Sequence, residues 1–226
     1  MKKLLPALLL SLPLFFTACD KDDNPVTPPA TENYQPVSAG STWTYEFRNN
    51  APVSKSTFVV TAKGTDSTIN GKTYKVFGST AGSNEYYNTN GSDYYQFTGI
   101  AGITNNTELL YLKTNVAASA SWSETKDVTI PGLGAASVKL TYTLVEKMPS
   151  MTVEGTAYTN VLHVKVALSD VKIGVIPVAV SSQDVNFYYA PNVGRIRSVV
   201  KLTLAPPIGG PIVTDTETVL KVAVIK

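Results

Sequence analysis

Apolar and polar residues alternate along most of the chain after residue 34. Within residues 41–48, Trp43, Tyr45 and Phe47 fall on one side and polar side chains fall on the other. A period of two residues is typical of a β-strand with one buried face. The same alternation marks residues 136–148, 161–168, 195–204 and 220–224, and further strands are predicted near 56–63, 72–79, 93–98, 107–113, 119–127 and 176–189.

These strands predict an all-β fold, a single large curved antiparallel sheet of about ten strands, because each strand has one packed face and one solvent face. No window of a dozen residues shows a helical stripe. Turn residues separate the strands, and Asn70-Gly71 suits a tight hairpin because both residues accept a positive φ. A twisted sheet of this size must hide its apolar face. A barrel, a half-barrel and a sandwich all remain open.

The alternation also assigns faces near the end of the chain. It places Arg195 and Arg197 on the solvent face of their strand. In the last strand it places Val222 and Val224 on the packed face. Both assignments assume that each strand alternates without interruption.

The first residues have the features of a secretory signal peptide. Two lysines follow Met1, an apolar run extends from residue 4 to 16, and two small residues precede Cys19. The apolar run is short for a membrane span, so we expect residues 1–18 to be removed. Residues 16–19 resemble the lipobox of bacterial lipoproteins, which implies that Cys19 is acylated and becomes the new N-terminus. The alternative is a plain secreted protein in which Cys19 is incidental.

Residues 19–33 are predicted to form a tether after the lipidated Cys19. The stretch is rich in Asp and Pro and has almost no large apolar residue, so it cannot bury enough surface to fold. Residues 19–23 resemble the signal of one Lys with several acids that directs some lipoproteins to the outer leaflet. We therefore expect an outer-membrane protein, lipid-anchored and exposed on the cell surface. A solvated linker on a protein facing the periplasm is the alternative.

Residues 34–226 are predicted to form one domain, since no second linker or internal repeat follows the tether. The formal charge of +2 is too small for a nucleic-acid binder. One Cys and one His cannot form a disulfide or a typical zinc site. Pro25 stands where a calcium loop needs Gly. We therefore expect no metal, no cofactor and no nucleic-acid partner.

The sequence also argues against an enzyme. His163 is the one imidazole, and it falls on the polar face of its strand, where we expect it to be solvated. No nucleophile elbow or phosphate-binding loop is present. A glycoside hydrolase needs only two carboxylates, so a carboxylate-based hydrolase remains a third hypothesis. Its candidate acids, which the sequence does not pair, are Glu108, Glu124, Glu146 and Asp184.

Four tyrosines are candidate binding residues because they flank the Asn90-Gly91 turn. They are Tyr86, Tyr87, Tyr94 and Tyr95. Adjacent residues of a strand point to opposite faces, so one ring of each pair should face outward. Such rings can stack on a glycan or on a protein partner. Alternatively they form cross-strand pairs that stabilise the hairpin.

Three connections are unusually apolar for loops, near residues 130–136, 173–178 and 204–212. If they gather at one end of the sheet, they form a rim suited to an acyl chain, a membrane surface or a partner protein. Otherwise they cap the core. The candidate ligand-binding residues in these connections are Ile130, Leu133, Ile176 and Ile208.

Three stretches resemble motifs of β-rich exported bacterial lipoproteins. They are residues 34–45 (YQPVSAGSTWTY), 153–164 (VEGTAYTNVLHV) and 188–196 (YYAPNVGRI). The resemblance implies an uncharacterised exported family whose sheet is related to the half-barrel of the lipoprotein carriers LolA and LolB. It implies turns at Gly155 and Gly194 and a core position for Trp43. It implies no catalytic residues.

Two function hypotheses therefore lead. The first is a non-catalytic surface module, anchored to the outer membrane, that binds a glycan or protein or serves a structural purpose. The second is a carrier that binds a lipid or other apolar ligand inside its sheet. A carrier needs an apolar internal cavity, a module needs only an exposed patch, and a hydrolase needs two carboxylates in one cleft.

Overall fold

The computed structural model describes residues 32–98, 106–130, 134–207 and 209–226, and for Ile130 it describes only the backbone. Within these ranges no helix is long and apolar enough to cross a membrane. The strands are β1 (Thr42–Asn50), β2 (Val53–Ile69), β3 (Lys72–Ser79), β4 (Glu85–Asn90), β5 (Asp93–Thr98), β6 (Thr107–Lys113), β7 (Ser121–Ile130), β8 (Gly134–Val153), β9 (Thr156–Ile173), β10 (Ile176–Pro177), β11 (Ala179–Ala190), β12 (Gly194–Ala205) and β13 (Ile212–Val224).

All of these strands belong to one antiparallel sheet, as the alternation predicted. Its order is β6-β5-β4-β3-β2-β1-β13-β12-β11-β9-β8-β7, and the short β10 pairs only with β9. The chain therefore runs up and down around the sheet, and the pairing of β1 with β13 joins its two halves. The sheet has 13 strands where the sequence predicted about ten. The prediction missed β4 and read β10 and β11 as one strand.

The edge strands β6 and β7 lie side by side without a regular hydrogen-bond ladder. Side chains of β7 bridge them instead. The Trp122 indole N–H donates to the Leu110 carbonyl at 2.7 Å, and the Leu110 N–H donates to the Glu124 carboxylate at 2.9 Å. We call this contact the seam. It leaves the sheet nearly closed into a barrel, which is one of the three forms that the sequence left open.

A β-bulge in β13 corrects the prediction for the last strand. Thr44 pairs with Val222 and Tyr45 pairs with Leu220, so Lys221 is an extra residue between the two pairs. An extra residue reverses the alternation beyond it. Val222 is therefore 55% exposed, whereas Leu220 is fully buried in the core. The prediction that Val222 and Val224 face the core is wrong.

The two ends of the barrel differ. The lower end carries the turns 70–71, 91–92, 154–155 and 191–193, and the upper end carries the connections after β1, β3, β7, β9 and β12. The N-terminal segment covers the lower end, where the buried Tyr34 donates from its hydroxyl to the Asn160 carbonyl at 3.0 Å. Trp43 is also buried there and donates to the Val193 carbonyl at 2.7 Å. The core position implied for Trp43 is thus found.

Replacing Trp122 by Phe tests the seam. Phe keeps an aromatic ring beside Tyr142, whose ring stacks on Trp122 at 5.6 Å, but it cannot donate to Leu110. We expect the free energy of unfolding to fall by about 1–2 kcal/mol, since a carbonyl loses its partner. Urea denaturation measures this. The matched control is Ser123→Ala, which removes an exposed hydroxyl bond to Thr141 and should change stability little. Equal losses in both variants would contradict a specific bridge at the seam.

Candidate functional site

The barrel contains a cavity of about 340 Å³ that is partly open to the outside. Its wall is mainly apolar and comes from β6, β8, β9, β11 and β12. The lining residues are every second residue of each strand, because alternate side chains of a strand point to the same face. The apolar and aromatic lining residues are Leu109, Tyr111, Leu140, Tyr142, Val166, Leu168, Val185, Phe187, Tyr189, Val200 and Leu202.

Polar side chains gather at part of the cavity wall. Glu85 from β4 and Gln96 from β5 line the cavity together with Arg195 from β12. The Tyr87 hydroxyl donates to the Glu85 carboxylate, and the Gln96 amide donates to the Tyr87 hydroxyl at 3.0 Å. Gln96 also donates to Glu85 at 3.4 Å. Burial, followed by the charge of Glu85, raises the pKa of Tyr87 well above its usual value, so its phenol stays protonated as a donor.

A β-bulge brings Arg195 into the cavity. Tyr188 pairs with Arg197 and Tyr189 pairs with Arg195, so Ile196 is an extra residue between the pairs. The alternation is reversed at this point. Arg197 stays on the outer face, 5.9 Å from the centre of the Tyr188 ring, whereas Arg195 lines the cavity. The prediction that both arginines face solvent is wrong for Arg195.

The Arg195 side chain is surrounded by protein, and it keeps some accessible surface because it borders the cavity. Its Nε atom is fully buried and has no hydrogen-bond partner. Across the described ranges no carboxylate forms an ion pair with Arg195. Burial alone would lower the pKa of Arg195, but the oxygens of Tyr45, Tyr87 and Glu85 outweigh it and raise this pKa above its ordinary value. The guanidinium therefore stays charged.

Two further hydroxyl groups belong to residues of the cavity wall. The hydroxyls of Tyr142 and Tyr189 form no hydrogen bond among the described residues, and neither is one of the fully buried atoms that lack a partner. Burial, as the largest cause, raises the pKa of both phenols, so both stay protonated. A second space of about 20 Å³ lies beside Arg195 and Glu85, which is room for one water molecule. Arg195 Nε is thus a buried donor without an acceptor at this part of the wall.

The four predicted tyrosines divide between the two faces of the sheet. Tyr87 and Tyr94 are buried inside the barrel, and Tyr86 and Tyr95 lie on the outer face. The Tyr86 ring packs edge-on against Phe97 at 6.4 Å. The ammonium of Lys72 lies 3.4 Å from the centre of the Tyr95 ring. The outer rings thus contact neighbours on adjacent strands, and of the four tyrosines only Tyr87 contacts the polar part of the cavity. Their binding of a ligand stays a prediction.

The three apolar connections join strands whose described ends lie at the upper end of the sheet. These strands are β7 and β8, β9 and β11, and β12 and β13. Ile176 is 46% exposed there, and its neighbour Val175 is 92% exposed. Leu133, Ile208 and the side chain of Ile130 lie outside the described residues, as does Cys19. Ile176 does not line the cavity, so this candidate and the cavity are separate features.

His163 is less exposed than the sequence predicted. Its ring stacks on Tyr188 at 4.5 Å, and its Nε2 lies 2.8 Å from the Asn186 side-chain oxygen. Its Nδ1 lies 3.4 Å from the Glu146 carboxylate. Only 15% of the His163 side chain is exposed, because the neighbouring strand supplies a ring that covers it. The expectation of a solvated histidine is wrong.

The candidate acids of the hydrolase hypothesis are dispersed. Glu108 contacts Lys72 and Tyr74, Glu124 lies at the seam, Glu146 faces His163, and Asp184 accepts a bond from Asn186. None of these four lines the cavity, where Glu85 is the single carboxylate among the described lining residues. The described ranges also contain no group of three His, Cys, Asp or Glu residues placed to hold a metal ion.

Two solved structures share this fold. One is described as a candidate exported protein with a YmcC-like fold from Bacteroides fragilis, and the other as a candidate lipoprotein from Parabacteroides distasonis. Each is 12% identical to this chain with a TM-score of 0.50, and the match covers 85% of this chain and 99% of the other. At this identity the likeness shows the fold. No model of a protein family matches the chain, and no curated protein matches it.

Proposed function

We propose that this chain is an exported, lipid-anchored protein that binds a small amphipathic molecule inside its barrel. The observation that carries the proposal is the cavity itself. Its volume of about 340 Å³ lies within the range of small-molecule sites, about 300–1,000 Å³. Such sites are mainly apolar with a few convergent polar groups, and this cavity has that composition.

The cavity favours the carrier hypothesis over the surface module. A module that stacks on glycans needs aromatic rings with a free face. The ammonium of Lys72 already lies over one face of the Tyr95 ring, which makes that ring less open to a sugar. The cavity, in contrast, offers apolar surface and free donors to a ligand. Kinship with the carriers LolA and LolB stays a prediction.

The anchor rests on the N-terminal sequence. The lipobox-like residues 16–19 support acylation of Cys19, and the descriptions of the two structural neighbours as exported or lipoprotein agree with it. The acidic residues after Cys19 support display on the outer face of the outer membrane, with the periplasmic face as the alternative. We therefore propose that the acyl chains on Cys19 attach the protein to the outer membrane.

A binding role without catalysis is the simplest use of this cavity. Glycoside hydrolysis needs two carboxylates that flank one bond. Glu85 stands alone among the described lining residues, and hydrogen bonds from Tyr87 and Gln96 already occupy it. Nucleophilic hydrolysis needs a base beside the nucleophile. His163 lies on the outer face beside Tyr188 and Glu146, away from the lining.

A fluorescent probe tests the proposal on residues 20–226, which include the whole barrel. N-phenyl-1-naphthylamine is neutral and apolar, and it fluoresces strongly when it leaves water. We expect a saturable signal with one site per chain, displaced by dodecan-1-ol. A signal that never saturates, or that the alcohol does not displace, would contradict a defined apolar site in the barrel.

A further inference from the structure

We infer that the polar end of the ligand is a carboxylate or a similarly compact oxyanion, and that Arg195 binds it. This inference rests on the proposed function and specifies the ligand class. It follows from three features of the polar part of the cavity, namely its unpartnered donor, an arginine that forms no ion pair among the described residues, and the arrangement of Glu85.

The donors at the polar part lack an acceptor. Arg195 Nε is buried without a partner, and the hydroxyls of Tyr142 and Tyr189 have no partner in the described ranges. A buried donor without an acceptor, such as Arg195 Nε, is unfavourable because it has lost its hydrogen bond to water. One carboxylate accepts several hydrogen bonds with its two oxygens. A ligand with such a group therefore supplies an acceptor for these donors.

The charge of Arg195 leads to the same conclusion. A buried charge is normally paired, because its removal from water is expensive. Among the described residues Arg195 forms no ion pair, and the raised pKa keeps it cationic. Guanidinium groups bind carboxylates through two parallel bonds, which a neutral hydroxyl cannot match. An anionic ligand would thus complete the pair inside the barrel.

Glu85 does not serve as the partner of Arg195. Its carboxylate accepts hydrogen bonds from Tyr87 and Gln96, which hold it against β4 and β5. It lies close enough to Arg195 to influence the pKa of that group. Glu85 should therefore repel an incoming anion while Arg195 attracts it. Variants of Glu85 and of Arg195 should therefore change the affinity for an anion in opposite directions.

The volume of the cavity also limits the size of the apolar part of the ligand. A volume of about 340 Å³ holds roughly ten groups the size of a water molecule, each about 30 Å³. A saturated chain of about twelve carbons is a reasonable probe of that size. The side chains of Leu140, Leu168 and Leu202 offer it an apolar surface.

Calorimetric titration with two matched probes tests the inference. Dodecanoate and dodecan-1-ol share the same chain and differ at the polar end. We expect residues 20–226 to bind dodecanoate at least about tenfold more tightly than the alcohol, because a charge-assisted bond is worth more than a neutral one. Arg195→Gln should remove this preference, and Arg195→Lys should retain part of it. Glu85→Gln should tighten dodecanoate binding several-fold relative to binding of the alcohol.

The outcomes separate the inference from the proposed function. Equal binding of the two probes to the wild-type chain would overturn the anion inference and leave a neutral apolar site. Binding of neither probe would overturn the proposed function itself. Weaker dodecanoate binding in Glu85→Gln would also overturn the assigned role of Arg195. Far-ultraviolet circular dichroism checks that each variant keeps the β-sheet of the wild-type chain.

Discussion

Replacing Val200 by Trp is expected to abolish measurable ligand binding. Val200 lines the cavity and is only partly buried, so the larger indole has space to enter the cavity. If the indole displaces three or four methylene groups of the ligand, at about 0.8 kcal/mol each, affinity falls roughly 50- to 200-fold. Titration with dodecanoate and with naphthylamine measures the loss, which should affect both probes.

The adjacent residue offers a matched control. Val199 is the same residue type on the same strand, but it pairs with Glu217 of β13 and does not line the cavity. Val199→Trp should therefore leave both affinities within about twofold of the wild-type values, since it changes the other face of the strand. If the two variants lost affinity equally, the ligand would not lie in the cavity.

Replacing Cys19 by Ser is expected to release the protein from membranes or to block the removal of residues 1–18. Ser has no thiol for the thioether bond to the lipid, so the chain loses every acyl group. Stable attachment needs two or more such chains. Fractionation of cells, followed by mass determination of the chain, measures both the location and the processing at residue 19.

The control for this variant changes only the acidic residues after Cys19. Replacing Asp22 and Asp23 by Ala should leave the chain in the membrane fraction and reduce its cleavage by external protease. Cys19→Ser chains that had lost residues 1–18 and still remained in the membrane fraction until detergent was added would contradict the lipid anchor. Unchanged protease access in the Asp22/Asp23 variant would contradict the surface signal alone.

The sheet was predictable because strands half-buried in a sheet repeat every two residues. Trp43 and Tyr45 on β1 and Val164 and Val166 on β9 follow this rule, and all four are buried. The closure was not predictable in the same way. It depends on the bridge between Trp122 and Leu110, which joins strands of different hairpins. No local pattern encodes such a contact.

The candidate site was harder to predict, and the reasons differ by residue. The sequence predicts a solvent-facing Arg195, because the bulge at Ile196 does not change the alternating pattern of apolar and polar residues. Glu85 and Gln96 did carry a signal that could have located them. Each lies two residues from an inward tyrosine, Tyr87 and Tyr94 respectively, and such a pair shares a face. Polar residues on that face would have suggested a polar site inside the barrel.

Native mass spectrometry of the protein from its own cells, followed by organic extraction, tests the central claim most directly. The account predicts one small amphipathic molecule per chain, acidic in the extract, and absent from Val200→Trp prepared in the same way. An empty wild-type chain that also binds neither dodecanoate nor naphthylamine would contradict the claim that the barrel is a ligand carrier.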